Sequence, residues 1–220
     1  VRISVVVPAR DEETTIGACL DALAAAARHC PVPVDVVVVA DRCQDRTERI
    51  ARAAGVRVLL SGAGQVGAAR AAGVRAARAL RPVEPADEHW IASTDADSLV
   101  PAGWLGWHAQ IAAADVDLLL GTVRLAGPAG AHRAWRERYA AGEWATGHVH
   151  VHGANLGVRA STYLAAGGFP ALPAHEDRAL ADRVRALPGA RVLASSRFPV
   201  TTSDRLVGRA PEGVAADLSA

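Results

Sequence analysis

The stretch Ile3-Ser4-Val5-Val6-Val7-Pro8-Ala9-Arg10-Asp11-Glu12-Glu13 decides the fold. Ile3–Val7 is a β-branched run of strand length, Pro8 stops it, and charged residues follow at once. A strand with no polar face reads as one buried on both sides, as in a parallel sheet. The same unit recurs downstream. Thr14 or Thr15 is placed to cap a helix through about Arg28, with Ile16, Leu20 and Leu23 on one face. Val34–Val39 reads as a second buried strand, followed by a helix from about Thr47 to Ala54 that Gly55 ends. Val56–Leu60 is a third strand, Val66 to Leu80 a helix, and Trp90–Thr94 a fourth strand that ends at Asp95. This alternation predicts an α/β fold, a mostly parallel twisted sheet flanked by helices. In such sheets the ligand sits at the carboxyl ends of the strands. Pro8–Glu13, Asp41–Asp45, Ser61–Gly67 and Asp95–Asp97 are therefore the segments expected to line a site.

The second part is less regular. Helices are expected over Trp104–Ala114, Arg133–Gly142, Ser161–Ala166 and Glu176–Leu187, and a strand over Asp117–Ala126. Gly127–Gly130 is a turn-rich link. His148–His152 alternates with valine as an edge strand does, and Val192–Ala194 reads as a last strand before a polar tail. No internal repeat and no long linker divides the chain, so 220 residues are expected to form one domain with two lobes.

Half of the residues are hydrophobic and 21% charged, which excludes disordered and fibrous classes. A formal net charge of +1 gives no electrostatic footprint for nucleic acid. All 24 basic residues are arginine, which excludes catalytic-lysine and P-loop chemistry. Cys19, Cys30 and Cys43 are odd in number and lack close spacing, so neither a disulfide framework nor a thiolate zinc site is expected. A reducing compartment suits them. No apolar run reaches the roughly 18 residues of a membrane span. The expectation is a soluble, cytoplasmic protein without an integral membrane segment. The oligomeric state, a homo-oligomer included, stays open.

Asp95-Ala96-Asp97 follows Ser93-Thr94 at a predicted strand end. Two carboxylates so spaced can both face a cleft and hold a hard divalent cation, which in turn binds phosphate oxygens. A solvated turn is the ordinary alternative. Gly62-Ala63-Gly64-Gln65-Val66-Gly67 matches the dinucleotide-binding GxGxxG pattern, which would make the chain an NAD(P)-dependent oxidoreductase. The acidic residue that pattern needs about 20 residues later is misplaced, however. Glu84 precedes the next strand, and Asp95 lies too far on. On a strand, His148, His150 and His152 would face one side and could ligate a metal or line a pocket, although a polar strand face is the commoner explanation. Trp104 and Trp107 could form a sugar platform, with core packing as the alternative.

These segments resemble family 2 glycosyltransferases of the GT-A fold. The blocks that carry the resemblance are Val5–Glu13, Val38–Thr47, Gly67–Gly73, Asp95-Ala96-Asp97, Gly153–Arg159 with Gly167-Gly168-Phe169, and Glu176-Asp177. They occur in the family's order over about the first 180 residues. The resemblance implies one GT-A domain over 1–220, with a nucleotide-sugar half (1–97) and an acceptor and catalytic-base half (98–220). It places Pro8, Ala9, Arg10, Glu12 and Asp41 around the base and ribose, and Arg70 and Asp95 at the nucleotide or its phosphates. Asp97, with Asp95, would bind Mg²⁺ or Mn²⁺. Asp177, beside Glu176, would act as base, and His152, Gly153, Asn155 and His175 would meet a hydroxyl acceptor. Ala40 and Arg42-Cys43 depart from the family pattern and leave the nucleotide base open. The family's QxxRW motif and membrane helices are missing, so transfer of a single sugar from a nucleoside-diphosphate sugar is expected. An inactive nucleotide-sugar-binding relative remains the other reading.

Overall fold

In the computed structural model, which describes residues 1–80, 82–83, 85–128, 130–208 and 214–219, the opening stretch forms strand β1 (Arg2–Ala9). It is followed by α1 (Ile16–Arg28), β2 (Val34–Asp41), α2 (Thr47–Ala53), β3 (Arg57–Ser61), α3 (Val66–Ala79) and β4 (His89–Ser93). β1 lies between β2 and β4, parallel to both, and β3 flanks β2, giving the order β3-β2-β1-β4. Alternation along β1 explains the burial on both faces. Ile3, Val5 and Val7 pack with Ile16, Leu20 and Leu23 of α1, while Val6 packs with Ala69, Val74 and Ala77 of α3. α3 approaches closely because Gly73 has no side chain. A Cβ there would lie 2.4 Å from Val6 Cγ1.

The remaining elements are β5 (Ser98–Leu99), α4 (Trp104–Ala113), β6 (Leu118–Leu125), α5 (Arg133–Ala141), the hairpin β7 (Glu143–Trp144) and β8 (Gly147–His148), β9 (Leu156–Arg159), α6 (Ala160–Ala165), α7 (Glu176–Arg185), β10 (Val192–Thr202) and α8 (Val214–Ser219). They extend the sheet in the order β4-β9-β6-β10-β5. β9 is antiparallel to both β4 and β6. Its reversed direction puts the 3₁₀ turn Gly153–Asn155, which precedes it, at the carboxyl ends of those two strands. Short β5 pairs antiparallel with Thr201 and Thr202 at the end of β10, which pins the loop after β4.

Several expectations change. Thr15 stands at the N-cap of α1, but its hydroxyl bonds to Glu12 instead of capping a helix N–H. The histidine segment is not an edge strand, since only Gly147–His148 pairs, in the β7–β8 hairpin. β10 runs well past Ala194. Its pairing with β6 breaks after Ser195 and resumes at Val200, so the polar Ser196 and Arg197 fall in a stretch not paired with β6, held between two paired segments. Trp104 is sealed in the core, and Trp107 packs beside Phe198 under the Arg197 guanidinium. Core packing, not a sugar platform, is their role. All three cysteines are free, and no helix among the described residues is long and apolar enough to cross a membrane.

Candidate active site

The connection from β1 leads to β2 on one side of the sheet, and the one from β3 returns to β4 on the other. This switch point opens a crevice at the carboxyl ends of β1 and β4. All four expected segments contribute to it. Pro8, Ala9, Arg10 and Glu12 line it after β1, Asp41 at the end of β2, Gly64 and Arg70 around the start of α3, and Asp95 to Asp97 after β4. The facing wall comes from the second half of the chain through His152, Gly153, His175, Glu176, Asp177 and Arg178.

The acidic pair sits between two arginines. Arg70, buried on α3, donates from Nη2 to Asp95 Oδ1 at 2.7 Å, and its Nε lies 3.2 Å from Glu176 Oε1. Nε and Nη1 are fully buried and make no aligned hydrogen bond among the described residues, so the guanidinium keeps donor capacity that its protein partners do not use. Burial alone would lower the Arg70 pKa, but the surrounding Asp95, Glu176, Asp177 and Asp97 raise it. Arg205 follows β10 and chelates Glu12, with Nη1–Oε2 and Nη2–Oε1 both 2.8 Å. Its Nη2 also lies 3.1 Å from Asp97 Oδ2. Ser203 N–H adds a bond to the Asp97 carbonyl at 3.2 Å. Burial, then repulsion from Asp95, pushes the Asp97 carboxyl up to about 6. Burial likewise raises Asp95, against the pull of Arg70.

This donor set fits a divalent cation. Each carboxylate gives one oxygen to an arginine and leaves the other without a charged partner among the described residues, and both are hard ligands. A different group, Asp11, Cys43 and Asp45, has its ligand atoms closer together. Those atoms are spent holding loops. Asp11 accepts from Gln44 N–H, Asp45 accepts from Glu13 and Thr47 N–H, and Cys43 donates to the Ala9 carbonyl. The clasp fixes the loop that carries Glu12.

On the opposite wall, Asp177 lies in the first turn of α7, just after His175, whose φ is 61°. Gly153 N–H donates to its Oδ2 and Arg178 N–H to its Oδ1, each at 2.7 Å. Gly153 must be glycine here, since a Cβ would lie 2.2 Å from Arg70 Nη2. Glu176 is buried beneath Arg70, with its pKa raised by burial, so it anchors the arginine and leaves Asp177 as the half-buried carboxylate that lines the cleft. Asn155 does not reach the cleft. Its Oδ1 accepts from Trp104 Nε1 at 2.8 Å, and its Nδ2 donates to the Thr122 and Phe198 carbonyls at 2.8 and 3.0 Å. That corrects its placement as an acceptor ligand. Burial spends all its polar capacity on tying β6, α4 and β10 together.

The three histidines do stack on one side, with ring centroids 5.6 Å apart for His148 and His150 and 6.0 Å for His150 and His152. Each Nε2 is engaged within the protein, by the Leu120 carbonyl, the Tyr139 carbonyl and the Tyr139 hydroxyl respectively. They form no metal site. The GxGxxG segment is a dinucleotide site in pattern only. The Gly67 N–H donates to the Leu172 carbonyl at 3.3 Å, and a Cβ on Gly67 would strike the Pro170 carbonyl. Protein thus covers the helix N-terminus where a pyrophosphate would bind. Gly64 N–H instead donates to Asp41 Oδ1 at 3.1 Å. Glu84 lies outside the described residues.

Sequence reasoning missed Arg205. The polar run Thr201-Thr202-Ser203-Asp204-Arg205 was visible, but nothing in it names Glu12 or Asp97 as partners. Val214 and Leu218 of α8 pack with Val123, Leu125, Trp135 and Ala154, so the described tail is folded against the cleft. Residues 209–213 and 220 of that tail lie outside the described residues.

An acidic pair at a strand end, a buried arginine and a switch-point crevice sit together on an α/β protein of the GT-A fold. The chain belongs to glycosyl transferase family 2, whose sequence profile matches residues 4–165. No curated protein matches it by sequence. Solved structures do. Residues 1–349 of S. aureus TarS in complex with UDP-GlcNAc align with a TM-score of 0.68 at 18% identity, over 97% of this chain and 61% of that one. The mannosyltransferase PcManGT from Pyrobaculum calidifontis, in complex with GDP-Man and Mn²⁺, aligns with 0.65 at 21% identity, over 90% and 56%. Glucosyl-3-phosphoglycerate synthase from Mycobacterium tuberculosis, with Mg²⁺ and UDP, gives 0.59 at 17% identity, over 92% and 72%. The chain spans about three-fifths of the TarS fragment. Asp177 and Arg205 lie beyond the segment that the family profile matches.

Proposed function

We propose that the chain is a divalent-cation-dependent, inverting glycosyltransferase that moves one sugar from a nucleoside-diphosphate sugar to an acceptor hydroxyl. Residues 1–220 act as one unit in the cytoplasm, where the free cysteines stay reduced. The observation that carries this reading is the two-walled cleft. Asp95 and Asp97 lie on one wall, and Asp177 is held on the other by two backbone N–H donors. UDP-sugar and GDP-sugar complexes among similar structures support the donor class and leave the base between uracil and guanine.

Mg²⁺ or Mn²⁺ held by Asp95 and Asp97 would offset the charge that develops on the departing diphosphate. The Arg70 guanidinium, which lines the cleft beside Asp95, would add positive charge behind the phosphates. Pro8, Ala9, Arg10, Glu12 and Asp41 frame the base and ribose. Asp177 takes the proton of the acceptor hydroxyl as its oxygen bonds to the anomeric carbon and the carbon–oxygen bond to the diphosphate breaks. Attack from the face opposite the leaving group inverts that carbon. His152, Gly153 and His175 border the acceptor.

Thermal-shift binding of UDP, GDP, ADP, dTDP and NAD⁺, with and without Mn²⁺, tests the reading. One nucleoside diphosphate should stabilise the chain only with metal, and Asp97→Ala should abolish that shift. Asp177→Asn should keep the shift and lose transfer by about 10²- to 10⁴-fold. Stabilisation by NAD⁺ without metal would overturn the proposal.

A further inference from the structure

A hydrogen-bond relay reaches the acceptor wall from the interior. Val123 N–H donates to Tyr139 Oη at 3.0 Å, and Tyr139 Oη lies 3.0 Å from His152 Nε2. A phenol has one proton to give. With Val123 already donating to it, both groups are satisfied when the hydroxyl donates to an unprotonated Nε2. The proton of the neutral His152 ring then sits on Nδ1. Tyr139 has little freedom to break this arrangement. Its ring stacks between Trp135 at 4.6 Å and His150 at 3.7 Å, and its carbonyl accepts from His150 Nε2 at 2.9 Å. His152 Nδ1 has no protein partner among the described residues and is not among the buried unpartnered atoms, so it is open to the cleft. The charged and titratable groups acting on the ring are Asp177, His150, Arg178 and His148. Burial outweighs the opposing pull of Asp177 and brings the ring down to about 4, so it is neutral at pH 7.

We propose that Tyr139 is a positioning residue that holds His152 in its Nδ1–H form, giving the cleft a neutral hydrogen-bond donor for a hydroxyl oxygen of the acceptor. The proposal rests on the glycosyltransferase reading and deepens it. An Nδ1–H facing the cleft cannot take a proton, so the base role stays with Asp177. It also offers no bare nitrogen to a metal. The acceptor must therefore present a lone-pair oxygen beside the hydroxyl that attacks.

The test is long-range ¹H–¹⁵N NMR of the histidine-labelled chain without ligand, with His152→Asn assigning the signal. The wild type should show protonated Nδ1 and bare Nε2 between pH 6 and 8, and Tyr139→Phe should shift the proton toward Nε2. A wild-type ring protonated at Nε2 overturns the proposal, as does a Tyr139→Phe spectrum that does not change. The wild-type result alone decides the tautomer even if Tyr139→Phe does not fold. Because no ligand or turnover is involved, failure here leaves the glycosyltransferase reading to its own test. A second arm loads the chain with Mg²⁺ and the nucleoside diphosphate from the thermal shifts, then adds glycerol as a minimal polyhydroxyl probe. The Nδ1 shift should move with glycerol. Movement with the nucleoside diphosphate alone, or none with glycerol, overturns the assignment to the acceptor.

Discussion

The floor and the rim of the cleft hold their arginines in opposite ways. On the floor, the Arg70 side chain is 4% exposed, and Gly153 and Glu176 close around it. At the rim, the Arg205 side chain is 29% exposed and hangs from the segment after β10, while the carboxylates it pairs, Glu12 and Asp97, are themselves mostly buried, 6% and 12% exposed. A charge sealed inside must stay paired, because its partners cannot recover solvation when it leaves. A charge whose own side chain reaches solvent can be replaced by water or another cation, so its loss costs its partners less. Arg70 thus belongs to the fold as much as to the site, whereas Arg205 belongs to the site alone.

The largest expected effect is on the floor. Arg70→Ala leaves Glu176 and Asp95 without their partner and should cost about 3–5 kcal/mol in urea unfolding. A loss under about 1 kcal/mol would break the comparison. The core below it should show the same intolerance of charge. His108 is sealed between Trp90 and Trp104 and accepts from Trp90 Nε1 at 2.9 Å. Burial pushes its pKa down to about 3, against 6.5 for a free imidazole. The unfolded chain therefore gains a proton below about pH 6.5 that the folded chain refuses. The stability is complete above pH 6.5 and lost as pH falls toward 3. By pH 4.5 the loss should be about 2–3 kcal/mol, and His108→Asn should flatten that acid limb relative to the wild type. Equal slopes would show that the ring is not sealed.

Gly153→Ala sharpens the comparison at the boundary between floor and rim. Its Cβ would be driven onto Arg70, and a loss of about 1–3 kcal/mol is expected. The same change should loosen the Asp177 carboxylate and lower transfer in the assay. The smallest effect belongs to the rim. Arg205→Ala leaves Glu12 and Asp97 unpaired and should lower stability by about 1–2 kcal/mol, less than Arg70→Ala because water reaches the vacated rim, while leaving the Mn²⁺-dependent thermal shift in place. A larger loss would move Arg205 into the class of Arg70.

The two halves of the chain differ in how much of this could be read in advance. Up to Asp97 the elements follow from local pattern, because β1 and β2 are valine-rich runs, β3 and β4 are short apolar ones, and each is ended by a polar loop. The site-lining loops of that half fall where a parallel sheet puts them. Beyond Asp97 the pattern weakens. β9 has four residues and β5 two, too short to carry a period, and β10 passes through the polar Ser196 and Arg197 as an irregularity between two segments paired with β6. The histidine alternation predicted a shared side correctly but a strand wrongly, since ring stacking with Tyr139 gives the same alignment.

The sequence by itself determined the α/β class, the buried strand β1, the acidic pair at the end of β4 and the position of Asp177 at a helix start. Each depends on residues adjacent in the chain, where apolar periodicity and breaker residues act directly. Tertiary structure alone decided which polar side chains face the cleft and which are consumed inside. Asn155 and Glu176 stood in the blocks that carry the family resemblance, whereas Tyr139 and Arg205 lay in weakly patterned stretches with no assigned role. Their fates were set by partners far along the chain, because a buried polar group must find its hydrogen bonds wherever the fold brings them.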